Sequence, residues 1–336
     1  MQNPVSDHKA YLEFGVRLAL GLAIVAALFA IVDTTAVLSA LHSIAPTWFL
    51  GALLINILGS VVGPAITTSQ ALAAGNRRIP LAELIRINFA MRFYVLTLPH
   101  AITIGMRWAR YKNKRDGLGW EAAALLLFER TIQFNVIITF AFIFLARSYV
   151  NLPDQFRFLM PVSALLILLG YFICLLFVSR TVYSAALPLI QTCIKLLPRL
   201  TSQRLGRLID AISSFQELNN ARVISVIAWT VAGYLLFVLS AYLVIVALDL
   251  PFGFAEIGWM RSTVFLLTTL PITVGGLGVR EAGFAALLHG HGIDGPTAVA
   301  FPLILLGIQL VIGGFGGIVE FSRALQRKKF TGGEHG

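Results

Sequence analysis

Six stretches of this chain are each long and apolar enough to cross a bilayer: about 14–32, 47–70, 121–146, 158–179, 223–248 and 297–321. A transmembrane helix needs roughly 17–25 mostly apolar residues. In hydrocarbon the backbone N–H and C=O groups must be satisfied within the segment itself, so runs of this length are expected as helices. The fold class that follows is an all-α integral membrane protein. Composition agrees: 12% of the 336 residues are charged, about half the share usual in a soluble protein. No stretch between the spans is long enough for a second folded unit, so 1–336 is expected to form a single transmembrane domain. Cys174 and Cys193 lie in apolar and semi-apolar sequence, which argues against a disulfide framework. The mixed-charge N-terminus leads straight into the first apolar run and is taken as an uncleaved span rather than a removed signal peptide.

Two further apolar segments are broken. One, about 82–106, contains Arg86, Arg92 and Pro99; the other, about 257–289, contains "LTTLPITVGGLGVREAGF". The distribution of Lys and Arg says how they run, because cytoplasmic loops carry the excess of positive charge. Both flanks of 82–106 are basic, with Arg77, Arg78 and Arg86 before it and Arg107, Arg110, Lys112, Lys114 and Arg115 after it. Loops 249–256 and 289–296 carry no Lys or Arg, whereas 180–222 carries six. Two full crossings by these segments would put basic stretches outside. If each dips in and returns, one from the cytoplasm and one from outside, twenty of the 26 Lys and Arg residues are cytoplasmic and two are not. The expectation is six spans plus two opposed re-entrant hairpins, with both termini cytoplasmic. Non-helical backbone at membrane depth must be buried in protein or line a wet cavity. Pro99 and Gly105 in the first hairpin, and Pro271, Gly275, Gly276 and Gly278 in the second, are the expected tips.

The two broken segments also resemble each other. "VLTLPHAITIGMRWA" at 95–109 and "LTTLPITVGGLGVREA" at 267–282 both run threonine, Leu-Pro, β-branched residues, glycine, then arginine eight or nine residues after the proline. The order span, span, hairpin, span describes 1–146 and again 158–321. That is the plan of an inverted-topology repeat, common among secondary transporters. Between the halves, 180–222 is expected as a cytoplasmic connector with an amphipathic stretch at 205–215, which suits an interfacial helix as well as an ordinary linker.

Charges deep in apolar sequence cost at least ~2.5–3.5 kcal/mol each on insertion scales and usually face a cavity and pair. Arg280 and Glu281 follow the glycine-rich turn. They form either an ion pair that pins the hairpin or a site where Arg280 holds an anion such as phosphate near exposed backbone N–H groups. Glu129 and Arg130 interrupt the span 121–146, and Gln133 falls on the face of Glu129. They are either a polar clamp between helices or, with Arg92 and Arg107, the lining of a substrate path. Other signals are weaker. "GGLGVR" lacks the Gly-Lys-Ser/Thr ending of a phosphate-binding loop. His289 and His291 have no third ligand nearby in sequence, so a turn is expected and no metal or other cofactor. "GGFGG" at 313–317 suits close helix packing. No Ser-His-Asp set is evident, and Glu129 and Glu281 are the only deep acids, so an enzyme is not expected.

"LPITVGGLGVREAGF" resembles the C-terminal signature of the flippase-like family, the transmembrane domain of lysylphosphatidylglycerol synthases and its stand-alone relatives. "FAMRFYVLTLPHAITIG" and "LLLFERTI" resemble its two other signatures, so the likeness spans about 45–320. The resemblance implies a protein that translocates lipids or lipid-linked precursors, with Pro271, Gly275, Gly276, Gly278, Arg280, Glu281, Glu129 and Arg130 at signature positions. This chain departs at "SQALAAG" and "TIGMR", where relatives carry Arg-Trp and Gly-Gly-Asp, leaving Arg107 or Arg110 to fill the family's arginine position. The synthases' soluble aminoacyl-transferase domain is absent from the sequence. The expected function is a flippase-like transporter in a bacterial inner membrane acting on an anionic lipid, with membrane lipids rather than nucleic acid as partners. The alternatives are a membrane lipid-modifying transferase and a non-transporting partner of a lipid biosynthetic enzyme.

Overall fold

The computed structural model describes residues 45–74, 78–98, 100–112, 119–195, 220–270 and 273–331, with single positions between 30 and 39 and between 206 and 209. Among these residues every regular element is helical. The expected first span at 14–32, the tip prolines Pro99 and Pro271, and most of 196–219 lie outside the described residues.

Helix α1 (Pro46–Ile57) opens with proline in its first turn, passes through a π-helical turn (Leu58–Val62) and continues as α2 (Gly63–Ala74). Then come α3 (Leu81–Thr97), α4 (His100–Lys112), α5 (Gly119–Arg147), α6 (Leu159–Val178), α7 (Arg180–Lys195), α8 (Asn220–Ala247), α9 (Phe254–Thr269), α10 (Val279–Gly290) and α11 (Gly295–Thr331). Five segments are long and apolar enough to cross a membrane: 46–73, 120–147, 154–175, 221–247 and 295–322. They match five of the six expected spans.

The broken segments behave differently. α3 and α4 are 17 and 13 residues, and α9 and α10 are 16 and 12. At about 1.5 Å per residue none exceeds about 26 Å, short of a hydrocarbon core about 30 Å thick. Each pair folds back on itself. Arg107 of α4 reaches Asn88 of α3, and Gly283 of α10 lies against Val264 and Leu267 of α9. Two boundaries differ from expectation. The second limb of the first hairpin runs on to Lys112, so Arg107 and Arg110 are helical rather than loop residues. Gly105 is not a tip. The chain turns at Leu98, whose backbone is extended, and Gly105 lies inside α4 with open space where a Cβ would project.

The packing is reciprocal. α3, the first limb of the first hairpin, rests along α11, the last helix of the other half; α9, the first limb of the second hairpin, rests on α5. α8 lies against both α1 and α2. Glycines permit these close crossings, since dispersion and small-residue fit hold helices together where lipid removes any hydrophobic preference. A Cβ on Gly59 would fall 2.8 Å from the Gly233 carbonyl oxygen. Gly316 of the "GGFGG" stretch meets the Phe89 carbonyl, and Gly313 meets Leu96. α6 stands apart: it packs on α5 and α7, and its apolar side chains, such as Leu165 and Leu168, are exposed. For a helix with this hydropathy, exposure suits a lipid-facing position.

Candidate functional site

The first polar cluster is built on a helix defect. Pro64 follows the π-helical turn and has no N–H to give the carbonyl of Ser60, four residues back. The Ser60 oxygen instead accepts from Arg92 Nη2 at 2.5 Å, and the neighbouring Val61 oxygen accepts from Asn88 Nδ2 at 3.0 Å. Both donors are on α3, one turn apart. π-Turns of this kind are common at functional sites because they release backbone groups.

Asn88 then ties the two limbs together, its Oδ1 accepting from Arg107 Nη2 at 3.0 Å. Arg107 Nε donates to the Tyr111 hydroxyl at 3.1 Å, and Arg107 Nη2 lies 4.0 Å from Glu129 Oε2 on α5. Arg130 Nη1 donates to Gln133 Oε1 at 2.9 Å, so Gln133 serves the arginine of the Glu129–Arg130 pair. Arg92, Arg107 and Arg130 lie within electrostatic reach of one another. The cluster joins three guanidiniums and one carboxylate, with Arg107 and Glu129 side chains 15% and 10% exposed. Positive charge exceeds negative in a buried setting.

The second cluster is closed. Gly275, Gly276 and Gly278 have φ of 61°, 73° and 81°, backbone that L-residues rarely adopt. They form the turn into α10. Glu281 Oε2 accepts from the Gly278 N–H at 2.7 Å, capping that helix, as Glu256 caps α9 through the Gly253 N–H at 2.6 Å. Glu281 Oε1 accepts from Arg280 Nε at 2.9 Å and from Nη2 at 2.5 Å. Arg280 Nη1 donates to Gln309 on α11. Every nitrogen of this guanidinium is engaged, and its charge is balanced.

The structure therefore gathers Arg92, Arg107, Glu129 and Arg130 in one place, and Arg280 and Glu281 in another. The two hairpins touch where Gly275 meets Val95. Arg110 goes elsewhere, pairing with Glu320 of α11 at 2.7 Å. His291 is ringed by aromatic side chains, with its ring centroid 5.7 Å from those of Phe156 and Phe252 and 5.8 Å from that of Trp259. Among the described residues no group of three metal-ligating side chains occurs.

Sequence reasoning missed Asn88, Gln309, the Ser60 carbonyl and Arg261. Gly63–Pro64 inside an apolar span was the available signal for the freed carbonyl. Arg261 was visible as one of four arginines in apolar sequence, but nothing linear tied it to a partner. It is 3% exposed, its guanidinium lies 3.7 Å from the Phe237 ring centroid, and its Nε has no hydrogen-bond partner among the described residues.

Among curated proteins no sequence matches the chain. The family model described as the lysylphosphatidylglycerol synthase TM region matches residues 16–317, covering all the helices above except the end of α11. The chain is a multi-pass membrane protein and belongs to the lysylphosphatidylglycerol synthase transmembrane-region family.

Proposed function

We propose that this protein is a flippase-like transporter that moves a lipid with an anionic head group, or a lipid-linked precursor, across a bacterial inner membrane. The single observation that carries this reading is the charge excess of the first cluster, where, among the described residues, Arg92, Arg107 and Arg130 are set against one carboxylate, Glu129. Buried charge without a counter-charge is costly, and an anionic head group would neutralise it. Arginine suits the task because its planar fork matches phosphate oxygens. Acyl chains would remain in lipid while the head group passes the cluster.

The architecture supports the same reading. Short limbs, reciprocal packing of each hairpin on the other half, and contact between the turn of one hairpin and the first limb of the other are what two opposed re-entrant hairpins in an inverted repeat require. With a sixth span at 14–32, both termini are cytoplasmic. Arg107 is the residue best placed to fill the family's arginine position on the first hairpin. Arg280 and Glu281 act in this scheme as the clamp that fixes the second hairpin.

The test is reconstitution of the purified chain in liposomes containing a head-group-labelled phosphatidylglycerol, with a membrane-impermeant quencher reporting the fraction that has crossed. Arg107→Gln and Arg92→Gln are expected to slow translocation at least tenfold, with Arg107→Lys intermediate. Wild-type rates in folded Gln variants would overturn the assignment. The family description favours one second reading, a helper of a lipid-modifying enzyme, and inactivity of the wild-type chain by itself in liposomes would point to it.

A further inference from the structure

The second hairpin carries a charge that its own clamp does not answer. Arg280 is satisfied by Glu281 and Gln309. Arg261, on the first limb of the same hairpin, has no such partner for its Nε among the described residues. Its side chain is buried, its Nε is unpartnered, and no carboxylate pairs with it among the described residues. It lies close enough to Arg280 for the two charges to interact. Stacking on Phe237 covers one face of the guanidinium, and a cation over an aromatic ring gains attraction there without using its N–H donors. The unpartnered Nε–H is left for something else.

The position has a counterpart. Met91–Arg92 and Met260–Arg261 each stand on the first limb of a hairpin, seven and ten residues before its Leu-Pro proline. Arg92 meets the π-turn between α1 and α2, the second span of its half, through the Ser60 carbonyl. Arg261 meets α8, the second span of the other half, through Phe237. One arginine has a backbone acceptor; the other has a ring, and its Nε has no acceptor among the described residues. A buried cation with a ring over its guanidinium and an unpartnered Nε is suited to an oxyanion.

We propose that Arg261 is the centre of a second oxyanion subsite, on the second hairpin, that takes the phosphate of a lipid head group or a free phosphate. This rests on the reading of the first cluster as a head-group site only in naming a lipid as the source; the subsite itself does not require it.

The test is native mass spectrometry and thermal unfolding of the full chain in detergent. The probes are short-chain phosphatidylglycerol, phosphatidylcholine and inorganic phosphate. The wild type is expected to retain two phosphatidylglycerol molecules. Arg261→Met should retain one, and Arg92→Gln combined with Arg107→Gln should also retain one. Loss only in the latter pair would overturn the second subsite. Loss only in Arg261→Met would uphold it and count against the first cluster.

Thermal unfolding separates binding from a structural role. Methionine keeps much of the side-chain length and removes an unanswered charge. Arg261→Met should therefore unfold at a higher temperature than wild type without lipid, and should gain less from phosphatidylglycerol. A lower unfolding temperature with and without lipid would mean that Arg261 is a structural clamp and would overturn the proposal. Inorganic phosphate stabilising wild type but not Arg261→Met identifies a free-anion subsite; an Arg261-dependent gain from phosphatidylglycerol alone identifies a lipid one. Equal gains of wild type and Arg261→Met from every one of the three probes would overturn both.

Discussion

Gly275 lies directly against Val95: a Cβ on the glycine would stand 2.7 Å from the Val95 carbonyl oxygen. The turn of the second hairpin thus meets the end of the first limb of the other hairpin through backbone. Gly275 also has φ of 61°, so a side chain here meets strain and a clash together. Gly275→Ala is expected to cost about 1–2 kcal/mol from the left-handed backbone alone, and more from the contact. Gly105→Ala, in open space within α4, should gain up to about 1 kcal/mol from helix propensity. Thermal unfolding of the two variants beside wild type checks the pair, and similar shifts for both would mean that Gly275 does not rest on the Val95 carbonyl.

The proposed opposition of the two hairpins makes a prediction about which loops share a side. Single cysteines at Asn113 and Asp294, in a variant lacking Cys174 and Cys193, are expected to react with an impermeant thiol reagent from opposite faces. Asn113 should be cytoplasmic, and Asp294, which caps α11 through the Thr297 N–H, should be outside. Labelling of both from one face would rule out two opposed hairpins.

The spans were legible because hydrocarbon imposes length and composition on a helix directly. The second turn was legible because three glycines so close together have few uses other than positive φ and close approach. The first turn was misjudged at Gly105, since a lone glycine looks the same in a helix as at a tip. The arginines divided in the same way. Arg280 and Glu281 are adjacent, so their pairing was visible in the chain. Arg107 meets Asn88 and Glu129 through two other helices, and Arg261 meets Phe237 through a third. Those contacts depend on how helices cross, which linear spacing does not carry.

The closed pair can be opened in a controlled way. Glu281→Gln retains an amide oxygen to accept from the Gly278 N–H but removes the charge that answers Arg280. Stranding a buried charge costs about 3–5 kcal/mol, and a loss of that size is expected in unfolding experiments. Adding Arg280→Gln should recover most of it. If the double variant also translocates lipid at the wild-type rate, Arg280 and Glu281 are a clamp, as their fully engaged hydrogen bonds suggest. If stability returns and translocation does not, Arg280 contributes to the substrate path as well.

Pro64 should act on transport through Arg92. In Pro64→Ala the new N–H at position 64 can close a helical bond to the Ser60 carbonyl, the acceptor that Arg92 now uses. Relief of an interior proline is favourable by up to about 3 kcal/mol, while a displaced guanidinium loses a charge-assisted hydrogen bond of about 1.5–3 kcal/mol. Stability should therefore change little or rise slightly, yet Arg92 loses the contact that aims it into the cluster. Translocation by Pro64→Ala is expected to fall several-fold with folding intact. The double variant Pro64→Ala, Arg92→Gln should be no slower than Arg92→Gln, because both changes remove the same interaction and residues in contact do not add. Additive losses in the liposome assay would show that Pro64 acts by some other route, and the carbonyl released at the π-turn would then have no part in placing the arginine.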